Sequence, residues 1–429
     1  MCKDYLWYNF WKFAVTKVGL FFFYTKIEII GKENIPKNKP VIVLPNHQNS
    51  FMDALLITTN MPGFMFFLTR ARSFSSPFMN WFLRSLNMLP VYRVQDGLSS
   101  VTKNNEIFAL CREYLKKNYP ILVFPEANHN LKRRIRPLSK GFTRIAFEAE
   151  VENNWEMDLQ LLPIGLNYSD HRRSRNRVRI VFGKPLSMIS YKDKYEQDER
   201  KAASKLKNDV SDALKKLVMH VPNSDHYPAM HILLTEFESD VNEYIDPNKV
   251  NAKVKKISDQ ITSEIEEIGK KVLEISNTYD ISIKTIFGRK KPWLLWILLF
   301  PIYVYSWLSN ILPYQPARLI IQNIIKDHAF DAAIKFLLGL SLFPVFWVFI
   351  SLILYLIGLP VTYIFGYLIL SVVSCVNFKN AHLVFREAST MKKLKILKRD
   401  HPEVYAIFVN GIKRLNDFRT NVLSSVNSK

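Results

Sequence analysis

The sequence predicts an α/β domain, an added helical region, and apolar helices of membrane type toward the C-terminus. Three observations predict it. Between residues 25 and 190, short apolar runs of strand composition alternate with amphipathic stretches of helical period, the pattern of a sheet covered by helices. Long polar stretches with an apolar face then occupy 196–278. Three long apolar runs follow, at 293–312, 336–357 and 361–376. The boundaries implied are 1–24, 25–190, 191–288, 289–378 and 379–429.

Residues 7–24, WYNFWKFAVTKVGLFFFY, are aromatic-rich and too charged for a comfortable span. They read as an interfacial helix whose lysines snorkel toward water, or else as a helix of the domain itself. Lys26–Ile30 reads as a strand and Gly31–Pro36 as a turn. Val41–Leu44 is a buried-type strand that ends at Pro45, Asn46 and His47. Asn49 and Ser50 are then positioned to cap a helix opening at Phe51. Met65–Thr69 follows as a strand, Pro77–Leu86 as a helix and Met88–Arg93 as an extended segment. Asn105–Lys117 has Ile107, Leu110, Cys111, Tyr114 and Leu115 at helical spacing. Pro120–Phe124 is a buried-type strand and Ser139–Glu150 a helix. Leu161–Tyr168 and Arg177–Phe182 complete the strands.

Further on, Ala203, Leu206, Val210, Ala213, Leu214 and Leu217 form one apolar face. Val250, Val254, Ile257, Ile261, Ile265, Ile268 and Val272 form another, with Val221–Asp225 as a break between them. Both suit amphipathic helices packed on a domain. Basic residues flank the apolar runs on both sides: Arg289, Lys290 and Lys291 before, then Lys392, Lys393, Lys395, Lys398 and Arg399 after. Positive flanks stay cytoplasmic, so an even number of spans is expected. The least strained solution makes 336–357 and 361–376 a hairpin about Gly358-Leu359-Pro360, with 293–312 lying in the interface. In the alternative, 293–312 spans and the last two runs supply one span plus a re-entrant piece. Either way the protein is expected to be integral to a membrane, with its α/β domain on the cytoplasmic face and a basic tail over 379–429.

The net charge is +21, from 59 basic and 38 acidic residues. Such a balance suits an anionic partner: nucleic acid, a membrane surface or a phosphorylated substrate. A hydrophobic content of 48% and basic residues adjoining apolar runs favour the phospholipid membrane, and no nucleic-acid recognition motif accompanies the charge. Cys2, Cys111 and Cys375 stand at no metal or redox spacing, so no metal or redox cofactor is called for. Lys12 and Lys17 interrupt the N-terminal apolar stretch, which does not read as a cleavable signal peptide.

Four stretches carry chemistry. In PNHQNSFMD, His47 sits on a strand-to-helix turn with Asp53 close downstream, a workable general base with its orienting partner. Taken alone, such a pair is more often incidental. In LPVYR, Arg93 ends a short strand at the same sheet edge and suits a phosphate fork, or is a plain surface arginine. In ILVFPEANHN, Glu126 stands at the carboxyl end of a strand, where α/β folds hold ligands. Lys132, Arg133, Arg134 and Arg136 follow, then Ser139-Lys140-Gly141 at a helix start, which make either an anion site or a solvated charge run. LLPIGLNY is a core strand or the wall for an acyl chain.

In this order and spacing the four stretches resemble the glycerophospholipid acyltransferase (PlsC-like) family over roughly residues 25–190. NHQNSFMD is similar to its His-x4-Asp block, LPVYR to its arginine block, FPEANHN to Phe-Pro-Glu-Gly-Thr-Arg-Ser, and LLPIGLNY to its Val-Pro-Val block. The resemblance implies an α/β acyltransferase domain that moves an acyl group from acyl-CoA or acyl-carrier protein to glycerol 3-phosphate or dihydroxyacetone phosphate. The neighbouring alternative is a lysophospholipid acceptor; one of another class is a non-catalytic lipid-binding membrane protein. It implies His47 as the base, Asp53 as holder of its tautomer, and Asn46, Arg93, Glu126, His129, Arg133, Arg134, Arg136 and Lys140 at the substrate. The chain departs from the pattern in three places. Its spacing is His-x5-Asp, with Met52 in the expected aspartate position, so the turn Gln48–Ser50 must absorb one residue. That spacing, the helical insert and the C-terminal apolar runs are similar to the fungal glycerol-3-phosphate/dihydroxyacetone-phosphate branch. Ala127 stands where the family has glycine, so a positive φ there would be strained. His129 stands where many members have arginine.

Overall fold

A computed structural model of the protein describes residues 5–92, 102–287 and 293–424. The chain divides into two units, Met1–His171 with Arg177–Val218, and Arg172–Asn176 with Met219–Lys429.

The first unit is built on an eight-stranded sheet: β1 Tyr24–Ile30, β2 Val41–Pro45, β3 Phe66–Arg70, β4 Met88–Val91, β5 Ile121–Leu122, β6 Gln160–Tyr168, β7 Asn176–Phe182 and β8 Leu186–Ser187. The order is β1-β7-β6-β2-β5-β3-β4, with β8 also paired to β6. β2 is parallel to β6 and to β5, in registers such as Val43↔Leu162 and Val43↔Leu122. Antiparallel β7 closes the other side of β6. The parallel centre explains its composition: β2 and β6 are buried along their whole length, and strands covered on both faces read as continuous apolar runs. Helices Asn104–Lys116, Gly141–Glu152 and Glu199–Leu217 supply Cys111, Leu115, Ile145, Leu206 and Val210 to one core with these strands.

The expected strands and helices are found within a few residues of their predicted limits. The segment Tyr5–Phe23 is helical, with a π-helical centre at Phe10–Lys17. One expectation for it fails. Lys12 does not snorkel but is 4% exposed, and its ammonium donates to Met61 O at 2.7 Å and Gly63 O at 2.8 Å. Burial, then the nearby Lys17 charge, lower its pKa to about 8. Leu6, Phe10, Phe13, Phe21 and Phe22 of the same segment are exposed.

Three other features differ from expectation. The helix Glu199–Leu217 belongs to the first unit because Ala202, Leu206, Val210 and Leu214 pack into the sheet's core, so the division comes at Val218 rather than near residue 190. The second apolar face breaks at Asp259–Thr262 into helices Pro247–Ser258 and Ser263–Thr278. The region expected as a basic tail is helical as far as Ser424. The helix Val361–Asp400 runs on past 379, and Pro402–Ser424 buries Phe408, Ile412, Leu415 and Val422 against Val254, Ile257 and Val272.

Among the described residues, one helical stretch, His328–Leu356, is long and apolar enough to cross a membrane, and its most apolar part is unburied. Val361–Cys375 is apolar but shorter, and Trp293–Asn323 contains Pro301, Pro313 and Pro316. The turn between the last two apolar runs falls at Gly358, with φ +84°.

Candidate active site

Because β2, β5 and β6 are parallel neighbours, their carboxyl ends lie on one edge of the sheet. That edge is where open α/β sheets hold ligands. β2 delivers His47 there, β5 delivers Glu126, and β6 ends at Tyr168.

His47 Nδ1 lies 2.9 Å from Asp53 Oδ2, and the imidazole side chain is 13% exposed. With Nδ1 engaged, Nε2 is the ring nitrogen left to take a proton. Asp53 is fully buried. Its Oδ2 also accepts the backbone N–H groups of Gln48 at 2.9 Å and Asn49 at 2.8 Å, while Oδ1 accepts the Tyr168 hydroxyl at 2.5 Å. A buried carboxylate needs such donors. The two amides belong to the residues just before the helix Ser50–Asn60, so Asp53 reaches back from its first turn to hold the preceding turn, and there an acidic group also meets the positive end of the helix dipole. The expected cap differs: Asn49 makes no capping bond, because its side-chain amide donates to His171 O at 2.9 Å.

The extra residue of the His-x5-Asp spacing is absorbed where the turn requires it. Ser50 adopts φ +44°, and Met52 N–H donates to Asn49 O, so the first turn is tightened. Met52 then faces the core, fully buried, and Asp53 faces His47. The imidazole stacks on Phe124 with ring centroids 3.8 Å apart and meets His129 edge-on at 5.5 Å.

Glu126 holds this base from β5. Its Oε1 accepts the His47 backbone N–H at 3.0 Å, and its Oε2 accepts Arg136 Nε at 2.8 Å. Burial raises the Glu126 pKa, opposed by the His47 N–H and by Arg136. Asn130 N–H donates to His47 O, and Gln48 Nε2 to Lys132 O, so the loop after β5 grips the turn after β2 by its backbone. Ala127 takes φ +58°. The left-handed conformation that glycine would adopt freely is thus imposed on an alanine, at a cost of about 1–2 kcal/mol.

The structure brings His47, Asp53, Glu126, His129 and Arg136 together. Other residues expected at the substrate have different occupations. Asn46 is fully buried and pairs with the Leu166 backbone, Oδ1 accepting its N–H at 2.7 Å and Nδ2 donating to its carbonyl at 3.2 Å, which leaves the side chain no reach into the site. Arg133 is buried, and its Nη1 donates to Tyr168 O at 2.6 Å, which makes it a tie between the loop and the end of β6. Glu126 is spent on His47 and Arg136 rather than presented to a ligand. Arg134 is half-buried and Lys140 exposed on the same loop. Arg93 lies outside the described residues; Tyr92 before it is clamped by Asn104, which accepts its N–H at 2.9 Å and donates to its carbonyl at 2.8 Å.

Sequence reasoning missed Tyr168 and His171. His171 is buried, stands 2.9 Å from Gln48 Oε1 through Nε2, and packs on Tyr168. The available signal was a tyrosine hydroxyl closing the largely apolar run LLPIGLNY at the sheet edge that carries His47.

Residues 26–167 match the family model described as acyltransferase. Over 145 residues the chain is 32% identical to a 1-acyl-sn-glycerol-3-phosphate acyltransferase of Chlamydomonas reinhardtii, covering 34% of this chain and 40% of that one. It is 27% identical over 173 residues to a chloroplastic 1-acyl-sn-glycerol-3-phosphate acyltransferase of Arabidopsis thaliana, covering 39% and 46%. With a glycerol-3-phosphate O-acyltransferase of Saccharomyces cerevisiae the identity is 24% over 123 residues, covering 28% and 16%. The chain spans less than half the length of these curated relatives.

Proposed function

Residues 26–167 match the acyltransferase family model, and from that premise we propose that the protein transfers an acyl group from a thioester donor to a hydroxyl of a phosphorylated glycerol. The observation that carries the reading is the His47–Asp53 pair, 2.9 Å apart with the carboxylate fully buried. His47 Nε2 takes the proton of the acceptor hydroxyl as its oxygen attacks the thioester carbonyl. The C–S bond then breaks, and the imidazolium returns the proton to the leaving thiolate, giving an ester and a free thiol. Asp53 keeps Nδ1 protonated and steadies the imidazolium. General-base action of this kind contributes about 10² to 10⁴ in rate. Acyl-CoA or acyl-carrier protein fits the donor role. The exposed Lys132 and Lys140 and the half-buried Arg134 and Arg136 supply positive charge for the acceptor phosphate.

Two classes of acceptor remain in the reading. The His-x5-Asp turn and the Saccharomyces relative favour glycerol 3-phosphate or dihydroxyacetone phosphate. The higher identity to the two 1-acyl-sn-glycerol-3-phosphate acyltransferases favours lysophosphatidate. The unburied apolar helix His328–Leu356 and the basic flanks favour a membrane setting with this domain on the cytoplasmic face. Membranes carrying the full chain, given labelled acyl-CoA with each of the three acceptors, test the reading. Transfer that disappears in His47→Ala supports it, and the acceptor used selects between the two. No transfer from acyl-CoA or acyl-carrier protein overturns it.

A further inference from the structure

We propose that Tyr168 is a positioning residue of the His47–Asp53 pair, its hydroxyl fixing the plane of the carboxylate that orients the base. The inference rests on the acyl-transfer reading and deepens it. Tyr168 is the last residue of β6, fully buried, and its hydroxyl donates to Asp53 Oδ1 at 2.5 Å from 115 residues away.

Two features make this contact more than packing. The Asp53 carboxylate is a broad rotor about its last bond. Three donors gather on Oδ2, the His47 imidazole among them, while Tyr168 is the donor on Oδ1. A donor on each oxygen fixes the plane of the group, and hence the line from Oδ2 to His47 Nδ1. The tyrosine is itself fixed. Its carbonyl accepts Arg133 Nη1, its ring packs near Tyr24 at 6.5 Å and His171 at 5.0 Å, and β7 pairs with it through Val178. A phenol sealed in this way must spend its O–H on an acceptor, and Asp53 is the acceptor it has.

The second feature is electrostatic. The groups facing Asp53 are the imidazole, two backbone amides, the Tyr168 hydroxyl and, nearby, the buried Tyr24. The phenolic O–H reaches Oδ1 of a fully buried carboxylate, whose oxygens need donors. Without it, Oδ1 competes with Oδ2 for the amides and the imidazole, and the line from the carboxylate to His47 Nδ1 is no longer single.

The test is Tyr168→Phe, which keeps the ring and its packing. We expect kcat to fall about 10- to 100-fold, the range for loss of a hydrogen bond to a charged group, with KM for the acyl donor unchanged. A readout independent of turnover is the rate at which diethyl pyrocarbonate modifies His47 at one fixed pH, followed on the His47 peptide by mass spectrometry. It is expected to rise as the imidazole loses its fixed orientation. Should Tyr168→Phe fail to fold, 3-fluorotyrosine placed at position 168 strengthens the donor with little change in packing, and the modification rate must fall. An unchanged modification rate in these variants overturns the inference, whatever the activity. A rate changed in the stated direction supports the positioning role, and a wild type that transfers no acyl group overturns the acyl-transfer reading instead.

Discussion

Glu126 Oε1 accepts the backbone N–H of His47 at 3.0 Å, so the proposed base is held in place by a carboxylate 79 residues further along the chain. A carboxylate used in this way is a scaffold for the base. Glutamine in its place keeps the acceptor and loses the ion pair with Arg136, whereas alanine loses both. Glu126→Gln is therefore expected to retain more activity than Glu126→Ala, with a larger drop in kcat than change in KM for the alanine variant. Steady-state kinetics on both variants check the order.

Asp53→Asn is expected to lose about 10²- to 10⁴-fold in kcat, the scale of general-base assistance. Met52→Leu should stay within a few-fold of wild type. Met52 faces the core, and a volume-conserving exchange there costs less than about 1.5 kcal/mol. Large loss in Met52→Leu with activity in Asp53→Asn would reverse the register of this turn.

The basic loop divides by burial. Lys132 and Lys140 are exposed, and replacing both by alanine should raise KM for the phosphorylated acceptor more than KM for the acyl donor. Arg133 is buried against Tyr168 O, so Arg133→Ala should lower thermal stability by about 1.5–3 kcal/mol, the range for a hydrogen bond to a charged group.

Ala127→Gly is expected to stabilise the protein. The φ of +58° at Ala127 costs an alanine about 1–2 kcal/mol that glycine does not bear, less the entropy that glycine loses on folding. A higher melting temperature with activity retained is the expected outcome; a lower one would mean that the loop relies on the methyl group.

Lys12 should make the first unit's stability respond to alkaline pH. Its folded-state pKa of about 8 lies below the ordinary 10.5. The contribution is therefore full above 10.5, where the amine is neutral folded or unfolded, and is lost as pH falls toward 8. Limited proteolysis of wild type between pH 8 and 10.5 should show growing protection of the N-terminal segment. In Lys12→Met that pH dependence should flatten.

Most of the sheet was legible because its strands are short apolar runs bounded by turn residues and separated by helical periods. β2, β6 and the helix Asn104–Lys116 fall where those signals put them. The His47–Asp53 pair was legible from spacing together with the family resemblance. Occupations were not. Whether a buried amide such as Asn46 faces a ligand or a neighbouring strand depends on register across 120 residues, which no local pattern encodes. The same holds for Arg133, indistinguishable in sequence from Arg136, and for Tyr168, whose apolar surroundings disguise a hydroxyl with a partner. Lys12 was misread because a lysine between aromatics can rise to water or turn inward to two carbonyls. The turn Met61–Gly63 that decides it lies about 50 residues on.

The placement of β2 between β5 and β6 has a consequence for how the protein comes into being. The bonds that hold His47 and Asp53 close chain separations of 79 and 115 residues, so they require the slow, non-local pairings of a parallel sheet. On the ribosome, the histidine and its aspartate emerge long before Glu126 and Tyr168 exist to hold them. The geometry around His47 is therefore complete only when β6 docks, and a nascent chain shorter than 168 residues carries the histidine and the aspartate without the contacts that hold them.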